Sequence, residues 1–224
     1  MQIAQLVGQS TDALVDTTIG SKSFLVHEQV QADLLTLVNA ANQAGFELFL
    51  ASGYRSFERQ LTIWNNKMAG TTPILDHNSQ PMASEQMNEL EKVQAILKWS
   101  ALPGASRHHW GTDFDVYAGN FLPRDTKLQL EPWEYLNGHQ REFYLWLKEC
   151  APLYGFFFPY GKDLGGVAME PWHISHRQAS STCLAHFCCN KWRQVLQQSD
   201  ILGREAILSE LDSIYNQYVT NINR

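Results

Sequence analysis

The chain lacks any apolar run long enough to cross a membrane. A spanning helix needs about eighteen or more consecutive apolar residues, and no stretch of the sequence reaches that length. Residues 1–16, MQIAQLVGQSTDALVD, also lack the basic segment and following apolar run that mark a signal peptide. These absences predict a protein without a membrane span in the cytoplasm, or in the periplasm if the sequence is truncated.

Basic residues are too few and too scattered to form a phosphate-binding surface. The 17 Lys and Arg are outnumbered by 23 Asp and Glu, which gives a net charge of −6. Nucleic-acid binding relies on clustered Lys and Arg that neutralise phosphates. We therefore expect no nucleic-acid partner.

Cysteine is scarce, and its spacing does not suit a structural zinc site. The sequence contains no CxxC pair, and adjacent cysteines are poorly placed to bridge each other. Free cysteine otherwise behaves as a small buried hydrophobic residue. We expect four reduced thiols, at Cys150, Cys183, Cys188 and Cys189.

Periodicity in the sequence predicts helices and short strands in an irregular order. Helical spacing of apolar residues predicts four helices, over residues 27–45, 57–68, 84–100 and 141–155. Short apolar or alternating runs predict four strands, within residues 46–56, 111–119, 156–161 and 170–177. Ser56 is placed to cap the second helix, and Gly53 to turn the chain after the first strand. Since no strand–helix unit repeats, we predict an α+β fold.

The end of the chain has a different pattern from the rest. Its apolar residues, Ile207 to Ile222, fall on one stripe that predicts a single long helix, paired with a helix over residues 183–198. The length of 224 residues and the 44% hydrophobic content suit one substantial core. We therefore predict one domain over residues 1–177 and a helical extension over residues 178–224 packed on it.

The segment SRHHWGTDFDVY, residues 106–117, concentrates groups that could bind a metal. Zinc is typically held by about four ligands, and catalytic sites leave one position open. A turn at Gly111 would let His108 and Asp115 approach the same ion. Alternation along the strand places Asp113 and Asp115 on one face and Phe114 and Val116 on the other. A third ligand must come from elsewhere.

The segment MEPWHISH, residues 169–176, also couples a histidine to a carboxylate. Pro171 disturbs the regular pleat, which permits Glu170 and His173 to converge although they are three residues apart. Glu170 is then available as a base. Taken alone, each of the two segments is also explained by ordinary packing, because short motifs have many false matches.

Together these segments resemble the zinc D-alanyl-D-alanine carboxypeptidases of VanY type, which are related to the VanX dipeptidases. SRHHWGTDFD matches the family's SxHxxGxxxD signature and EPWH matches ExWH, while SGYRS, upstream, is similar to a third element. The resemblance covers roughly residues 25–177. It implies a Hedgehog/DD-peptidase-like fold, with a small central antiparallel sheet flanked by helices.

The resemblance also assigns roles to individual residues. It makes His108, Asp115 and His173 the ligands of Zn²⁺, and Glu170 the general base. Arg55 and Ser106 would bind the substrate's terminal carboxylate, and Gln60 matches a glutamine that belongs to the same substrate site. The family often has alanine where this chain has Asp113. We expect Asp113 to accept a hydrogen bond from a ligand histidine or to face solvent, although it could also compete as a ligand.

Two further points concern the histidines. Neighbouring side chains in a loop diverge, so only one of His108 and His109 should reach a metal, and the spacing to Asp115 selects His108. His109 would then be a pocket wall or a hydrogen-bond partner. The remaining histidines, His27, His77, His139, His176 and His186, have no pattern of partners and are expected to be structural.

By resemblance, the function is zinc-dependent release of C-terminal D-alanine from a peptidoglycan stem peptide or another small peptide that ends in D-alanine. An LD-carboxypeptidase and a D-Ala-D-Ala dipeptidase are alternatives within the family. A non-catalytic, zinc-stabilised binding module is an alternative of another class, because the Hedgehog signalling domain shares the fold and the zinc site.

Overall fold

The computed structural model describes residues 1–76 and 79–223, and it has the α+β architecture predicted from the sequence. The helices are α1 Ile3–Leu6, α2 Gln31–Gln43, α3 Phe57–Met68, α4 Glu89–Leu97, α5 Pro132–Leu136, α6 Arg141–Cys150, α7 Arg177–His186, α8 Cys189–Gln197, α9 Arg204–Ser209 and α10 Leu211–Ile214. The strands are β1 Leu14–Ile19, β2 Lys22–His27, β3 Leu48–Ser52, β4 Asp113–Ala118, β5 Phe156–Phe157 and β6 His173–His176. None of the helices in these ranges is long and apolar enough to span a bilayer.

The central sheet has four antiparallel strands in the order β3-β4-β6-β5, and β1 and β2 form a separate hairpin. Strand β4 lies between β3 and β6, so its side chains face neighbours on both sides. Its register places Asp115 directly opposite His173, and Asp113 opposite Ser175. Directly opposed residues of an antiparallel pair lie on the same face of the sheet. The sheet therefore brings together side chains that are about 60 positions apart in the sequence.

The buried apolar residues form two hydrophobic cores. The sheet core contains Phe114, Val116 and Ala118 from β4, together with apolar residues of α2 and α6. The helical core is formed mainly by α3, α4 and the helices after residue 177. The predicted alternation along β4 is confirmed, because its apolar side chains enter the sheet core and its aspartates do not.

Several local predictions are confirmed by the structure. The helix predicted over residues 57–68 is α3, and the Ser56 hydroxyl caps it by accepting a hydrogen bond from the backbone N–H of Arg59. The predicted turn at Gly111 is present, with a positive φ of 65°. A Cβ at this position would meet Leu14 and the backbone of His27 on the hairpin, so glycine is required there.

The prediction of one long C-terminal helix is wrong. The chain instead forms α9, α10 and a π-helical turn, Tyr215–Val219, and Glu210 between α9 and α10 has φ −109° and ψ 10°. The partner helix predicted over residues 183–198 is also divided, because Phe187 is extended between α7 and α8. The apolar stripe is nevertheless buried, since Ile207, Leu211, Ile214 and Val219 all belong to the helical core.

Candidate metal centre and substrate cavity

The three predicted metal ligands meet in the structure. His108 lies in a 3₁₀ turn, Arg107–Trp110, Asp115 lies on β4, and His173 begins β6. Asp115 Oδ2 is 3.4 Å from His108 Nε2, and its Oδ1 is 3.4 Å from His173 Nδ1. One ligand atom from each residue lies within 4.8 Å of the other two, and all three residues are buried.

The hydrogen bonds around this cluster leave the right atoms free to bind a cation. His108 Nδ1 donates to the Gly53 carbonyl oxygen at 2.9 Å, so Nε2 carries the lone pair of the neutral ring. His173 Nε2 lies 3.0 Å from Asp113 Oδ1, so Nδ1 carries the lone pair there. Asp115 Oδ1 is buried without a hydrogen-bond partner among the described residues. Two imidazole nitrogens and one carboxylate make a donor set that suits zinc and leaves a position for water or substrate.

Charge in the pocket also favours a cation. Burial by itself lowers the pKa of His173, but the nearby carboxylates of Asp113, Asp115 and Glu170 raise it well above the usual value. Burial would raise the pKa of Asp115, yet His108 and His173 hold it below its usual range. Three carboxylates thus surround His173, and this concentration of negative charge favours a cation at the site.

Asp113 lies behind His173 and pairs with Arg107. The sequence analysis did not identify Arg107 as part of the site. Asp113 Oδ1 accepts from Arg107 Nε at 2.7 Å, and its Oδ2 accepts from the Thr112 hydroxyl at 2.6 Å. Arg107 is itself buried and donates through Nη2 to Ser175 Oγ at 2.6 Å. The signal in the sequence was an aspartate on a buried strand face, since such a carboxylate requires a cation nearby. The geometry makes Asp113 a partner that orients a ligand histidine.

His109 points away from the metal cluster. Its Nδ1 donates to the carbonyl oxygen of Arg55 at 2.6 Å, and its Nε2 accepts from the backbone N–H of Gly104 at 3.0 Å. Burial lowers the pKa of His109 to about 3. The neutral ring therefore ties two loops of the site together, which is the hydrogen-bonding alternative considered for it above.

The other described histidines do not join the cluster. His176 caps α7 through Nδ1, and its Nε2 is 2.9 Å from Asp33 Oδ2. His27, His139 and His186 also lie elsewhere, and His77 falls outside the described residues.

Glu170 is positioned beside the cluster by a turn. The backbone N–H of His173 donates to the Glu170 carbonyl at 3.1 Å, which brings their side chains together across Pro171. Glu170 Oε2 is 3.2 Å from His173 Nδ1, and its side chain is 13% exposed toward a cavity of about 340 Å³. The carboxylate can thus reach both the metal cluster and whatever the cavity holds.

Arg55 presents its guanidinium to the same cavity. Its Nη1 donates to Gln60 Oε1 at 2.9 Å and its Nη2 to Ser52 Oγ at 3.0 Å. Within the described part of the chain it forms no ion pair. Burial lowers the pKa of Arg55, while Asp115 and Glu170 oppose that effect. The arrangement holds a cation in place and leaves its charge available to an anion.

Ser106 and Gln60 occupy different positions relative to this cation. Ser106 lines the cavity. Gln60 is fully buried, and its amide nitrogen donates to the Ala101 carbonyl at 2.7 Å while its oxygen accepts from Arg55. Both ends of the Gln60 amide are therefore used by the protein. The structure places Gln60 behind Arg55, and it is not among the residues that line the cavity.

Comparison with protein families gives an independent result. The family model for VanY, D-alanyl-D-alanine carboxypeptidase, matches residues 23–179. The chain belongs to the VanY family. The match spans well over half of the sequence and contains all three motifs described above.

One relative is itself named a D-alanyl-D-alanine carboxypeptidase, in agreement with the VanY assignment. The chain is 30% identical over 146 residues to a D-alanyl-D-alanine carboxypeptidase of Enterococcus faecalis, an alignment that covers 64% of this chain and 45% of that protein. It is 36% identical over 121 residues to an uncharacterized protein of Haemophilus influenzae, which covers 53% of this chain and 92% of that protein.

Solved structures show the same fold. VanYB in complex with D-alanine-D-alanine has a TM-score of 0.51 and 23% identity, over 81% of this chain and 87% of that one. A VanY D,D-pentapeptidase mutant in complex with Zn(II) has a TM-score of 0.52 and 21% identity, over 88% and 92%. The LD-carboxypeptidase LdcB has a TM-score of 0.54 and 21% identity, over 88% and 77%. The likeness confirms the predicted Hedgehog/DD-peptidase-like architecture.

Proposed function

We propose that this chain is a zinc-dependent carboxypeptidase that releases C-terminal D-alanine from peptidoglycan stem peptides. The proposal rests on one observation: two functional features line the same cavity. These are the buried cluster of His108, Asp115 and His173, and the guanidinium of Arg55, which forms no ion pair with a described residue. One feature suits hydrolysis and the other suits a substrate that ends in a carboxylate.

His108, Asp115 and His173 would hold the zinc ion. The unpartnered Asp115 oxygen and the two inward lone pairs fit a metal of this kind. When bound, zinc would supply Lewis acidity, which polarises a scissile carbonyl and acidifies water. Asp113 would keep His173 in the tautomer that leaves Nδ1 for the metal, and Arg107 would balance the charge of Asp113.

Glu170 would carry the proton through the reaction. A carboxylate beside the metal ligands can accept a proton from the attacking water and then give it to the departing amine. Its contact with His173 and its place in the lining of the cavity support this role. This role requires a carboxylate, because an amide of the same shape cannot accept the proton.

Arg55 would select peptides that end at the cleavage site. A guanidinium offers two parallel N–H donors that match one carboxylate, and Ser106 lines the same cavity. An internal peptide bond offers no such anion. The arrangement therefore favours removal of the last residue over cleavage within a chain.

The proposal is tested with the purified protein, zinc and synthetic stem peptides. We expect D-alanine release from a pentapeptide ending in D-Ala-D-Ala. A tetrapeptide ending in a diamino acid and D-alanine, and the free D-Ala-D-Ala dipeptide, separate this activity from the LD-carboxypeptidase and dipeptidase alternatives. A protein that binds zinc and peptide but cleaves none of the three would instead be a binding module.

The control is Glu170→Gln. We expect it to lower kcat by roughly 10²- to 10⁴-fold, the usual contribution of general acid and base work. Zinc content should stay at the wild-type level, as measured by metal analysis of the same samples. A variant within tenfold of wild type would remove Glu170 from the proposed role.

The cytoplasmic location expected from the sequence stays a prediction, and fractionation of cells would test it.

A further inference from the structure

The cavity is also lined by a lysine, Lys67, to which the proposed function gives no role. Lys67 lies in the last turn of α3 and lines the same cavity as Arg55 and Glu170. Its Nζ donates to the Ser100 hydroxyl at 2.7 Å. Across the part of the chain that the structure describes, Lys67 forms no ion pair. A neutral hydroxyl holds the ammonium group without cancelling its charge.

Helix geometry places Lys67 close to Arg55. Gln60 and Lys67 are separated by about two turns of α3, so they lie on the same face of the helix. Gln60 joins Arg55 to the carbonyl of Ala101, and Lys67 bonds to the adjacent Ser100. The two cations are therefore held by neighbouring contacts between α3 and the segment that follows α4.

The charged groups of the cavity act on one another. Asp115 and Glu170 act on Arg55, and Arg55 in turn acts on Lys67. Burial first, and the positive charge of Arg55 second, lower the pKa of Lys67. Lys67 and Arg55 therefore line one cavity close enough for their positive charges to repel each other.

The helix dipole does not account for this arrangement. A cation near a helix C-terminus is favourable, and that explains a lysine in the last turn of α3. It does not explain why the ammonium is turned into a cavity beside another cation, where desolvation and repulsion both oppose its charge. Such a pair is stabilised when an anion enters.

We infer that Lys67 is a second anion-binding residue of this cavity, and that its ligand is a substrate carboxylate additional to the C-terminal one. The inference rests on the proposed function, in which Arg55 takes the C-terminal carboxylate. Two parts of a stem peptide offer a second carboxylate: the side chain of the diamino acid, and the side chain of the leaving residue if that residue is acidic.

Two matched peptide pairs distinguish these sources. One pair carries either L-lysine or meso-diaminopimelate as the diamino acid, and these differ by one side-chain carboxylate. The other pair ends in either D-alanine or D-aspartate. The quantity measured is the ratio of kcat/KM within each pair, for the wild-type enzyme and for Lys67→Met, Lys67→Arg and Lys191→Met. Lys191 is exposed on α8 and does not line the cavity, so its variant controls for net charge.

We expect the wild-type enzyme to prefer the member with the extra carboxylate in one of the pairs. Lys67→Met should reduce that preference by about 10- to 100-fold, the range for one charge-assisted hydrogen bond. Lys67→Arg and Lys191→Met should retain it. Absence of any preference in the wild type, or an equal preference in Lys67→Met, would overturn the inference.

A binding measurement separates this inference from the proposed function. Calorimetric titration of the same peptides into Glu170→Gln reports affinity without hydrolysis. If the wild type cleaves no peptide but the affinity ratio still depends on Lys67, the carboxypeptidase proposal fails and the anion site stands. If the peptides are cleaved and neither ratio depends on Lys67, the proposed function stands and the anion site fails.

Discussion

The two sides of the substrate cavity are held in place by different forces. The metal side consists of His108, Asp115 and His173, and buried polar contacts to Asp113 and Arg107 fix its geometry. The helical side consists of Arg55, Ser106 and Lys67, and apolar packing against the helical core fixes the elements that carry it. Chemistry on the metal side should therefore be sensitive to single polar atoms, and binding on the helical side to packing.

The helical side depends on residues that follow position 179, where the match to the VanY family model ends. Trp192 of α8 donates through Nε1 to the Pro103 carbonyl at 2.9 Å and packs close to Gly104, just before Ser106. Trp64 of α3 donates to the Leu202 carbonyl at 3.1 Å. The family model ends at residue 179, yet these contacts come from beyond it. The C-terminal segment therefore supports one wall of the site although it contributes no proposed ligand.

The largest expected effect is on the metal side. His108→Ala removes one of three proposed ligands. Zinc affinity should therefore fall by more than the roughly 10- to 100-fold that is typical when a hydrogen-bond partner of a ligand is replaced. Competition with a chelator of known affinity measures the loss. His186→Ala is the matched control, because His186 is an exposed histidine on α7 that should leave zinc binding at the wild-type level. Full zinc affinity in His108→Ala would refute the ligand assignment.

A second change tests the packing of the helical side. Trp192 is fully buried, so Trp192→Ala should lower the free energy of unfolding by about 3–5 kcal/mol, as chemical denaturation would show. We expect kcat/KM to fall as well, and zinc affinity of the folded protein to be retained. Leu153→Ala is the control, because that side chain is 77% exposed. If Trp192→Ala also lowered the zinc affinity of the folded protein, the metal side would depend on the packing of the helical side, and the two sides would not be independent.

A smaller effect is expected from the residues behind His173. Asp113→Ala should leave zinc bound at saturating concentrations but reduce its affinity by roughly 10- to 100-fold, because His173 loses the partner that fixes its tautomer. The variant also leaves Arg107 buried without its carboxylate, which is destabilising.

The double variant Asp113→Leu with Arg107→Met separates these two effects. It removes both charges, so much of the lost stability should return while zinc affinity stays low. Recovery of zinc affinity in the double variant would show that Asp113 serves only to neutralise Arg107. Calorimetric zinc titration and denaturation of the same samples provide both numbers.

Local patterns predicted the parts of the fold that local interactions decide. The Ser56 cap and the helical spacing that follows it are contained within a few residues, and α3 was predicted correctly at both ends. The alternation along β4 likewise identified which side chains enter the core. The motifs also identified Asp115 and His173, which the sheet register then places opposite each other on β4 and β6.

The remaining features depend on contacts between distant segments. An apolar stripe such as Ile207 to Ile222 is compatible with a straight or a broken helix, and the shape of the core to be covered decides between them. Arg107 was not identified because the choice of a cation to pair with Asp113 is made in three dimensions. Lys67 gave no signal in the sequence beyond its place near a helix end.

The most direct test of the account is a double cycle on Arg55 and the substrate's C-terminus. The free energies come from kcat/KM for D-alanine or D-alaninamide release, with one stem peptide in its free and its amidated form. Arg55→Ala should cost about 2–5 kcal/mol on the free peptide, the usual cost of breaking a buried charge pair.

Amidation should cost the wild-type enzyme a similar amount and the Arg55→Ala variant almost nothing, because both changes remove the same interaction. That result would place the peptide's terminal carboxylate on Arg55, as the account requires. Independent and additive losses would show that Arg55 supports the fold instead of the substrate, and they would contradict the carboxypeptidase assignment.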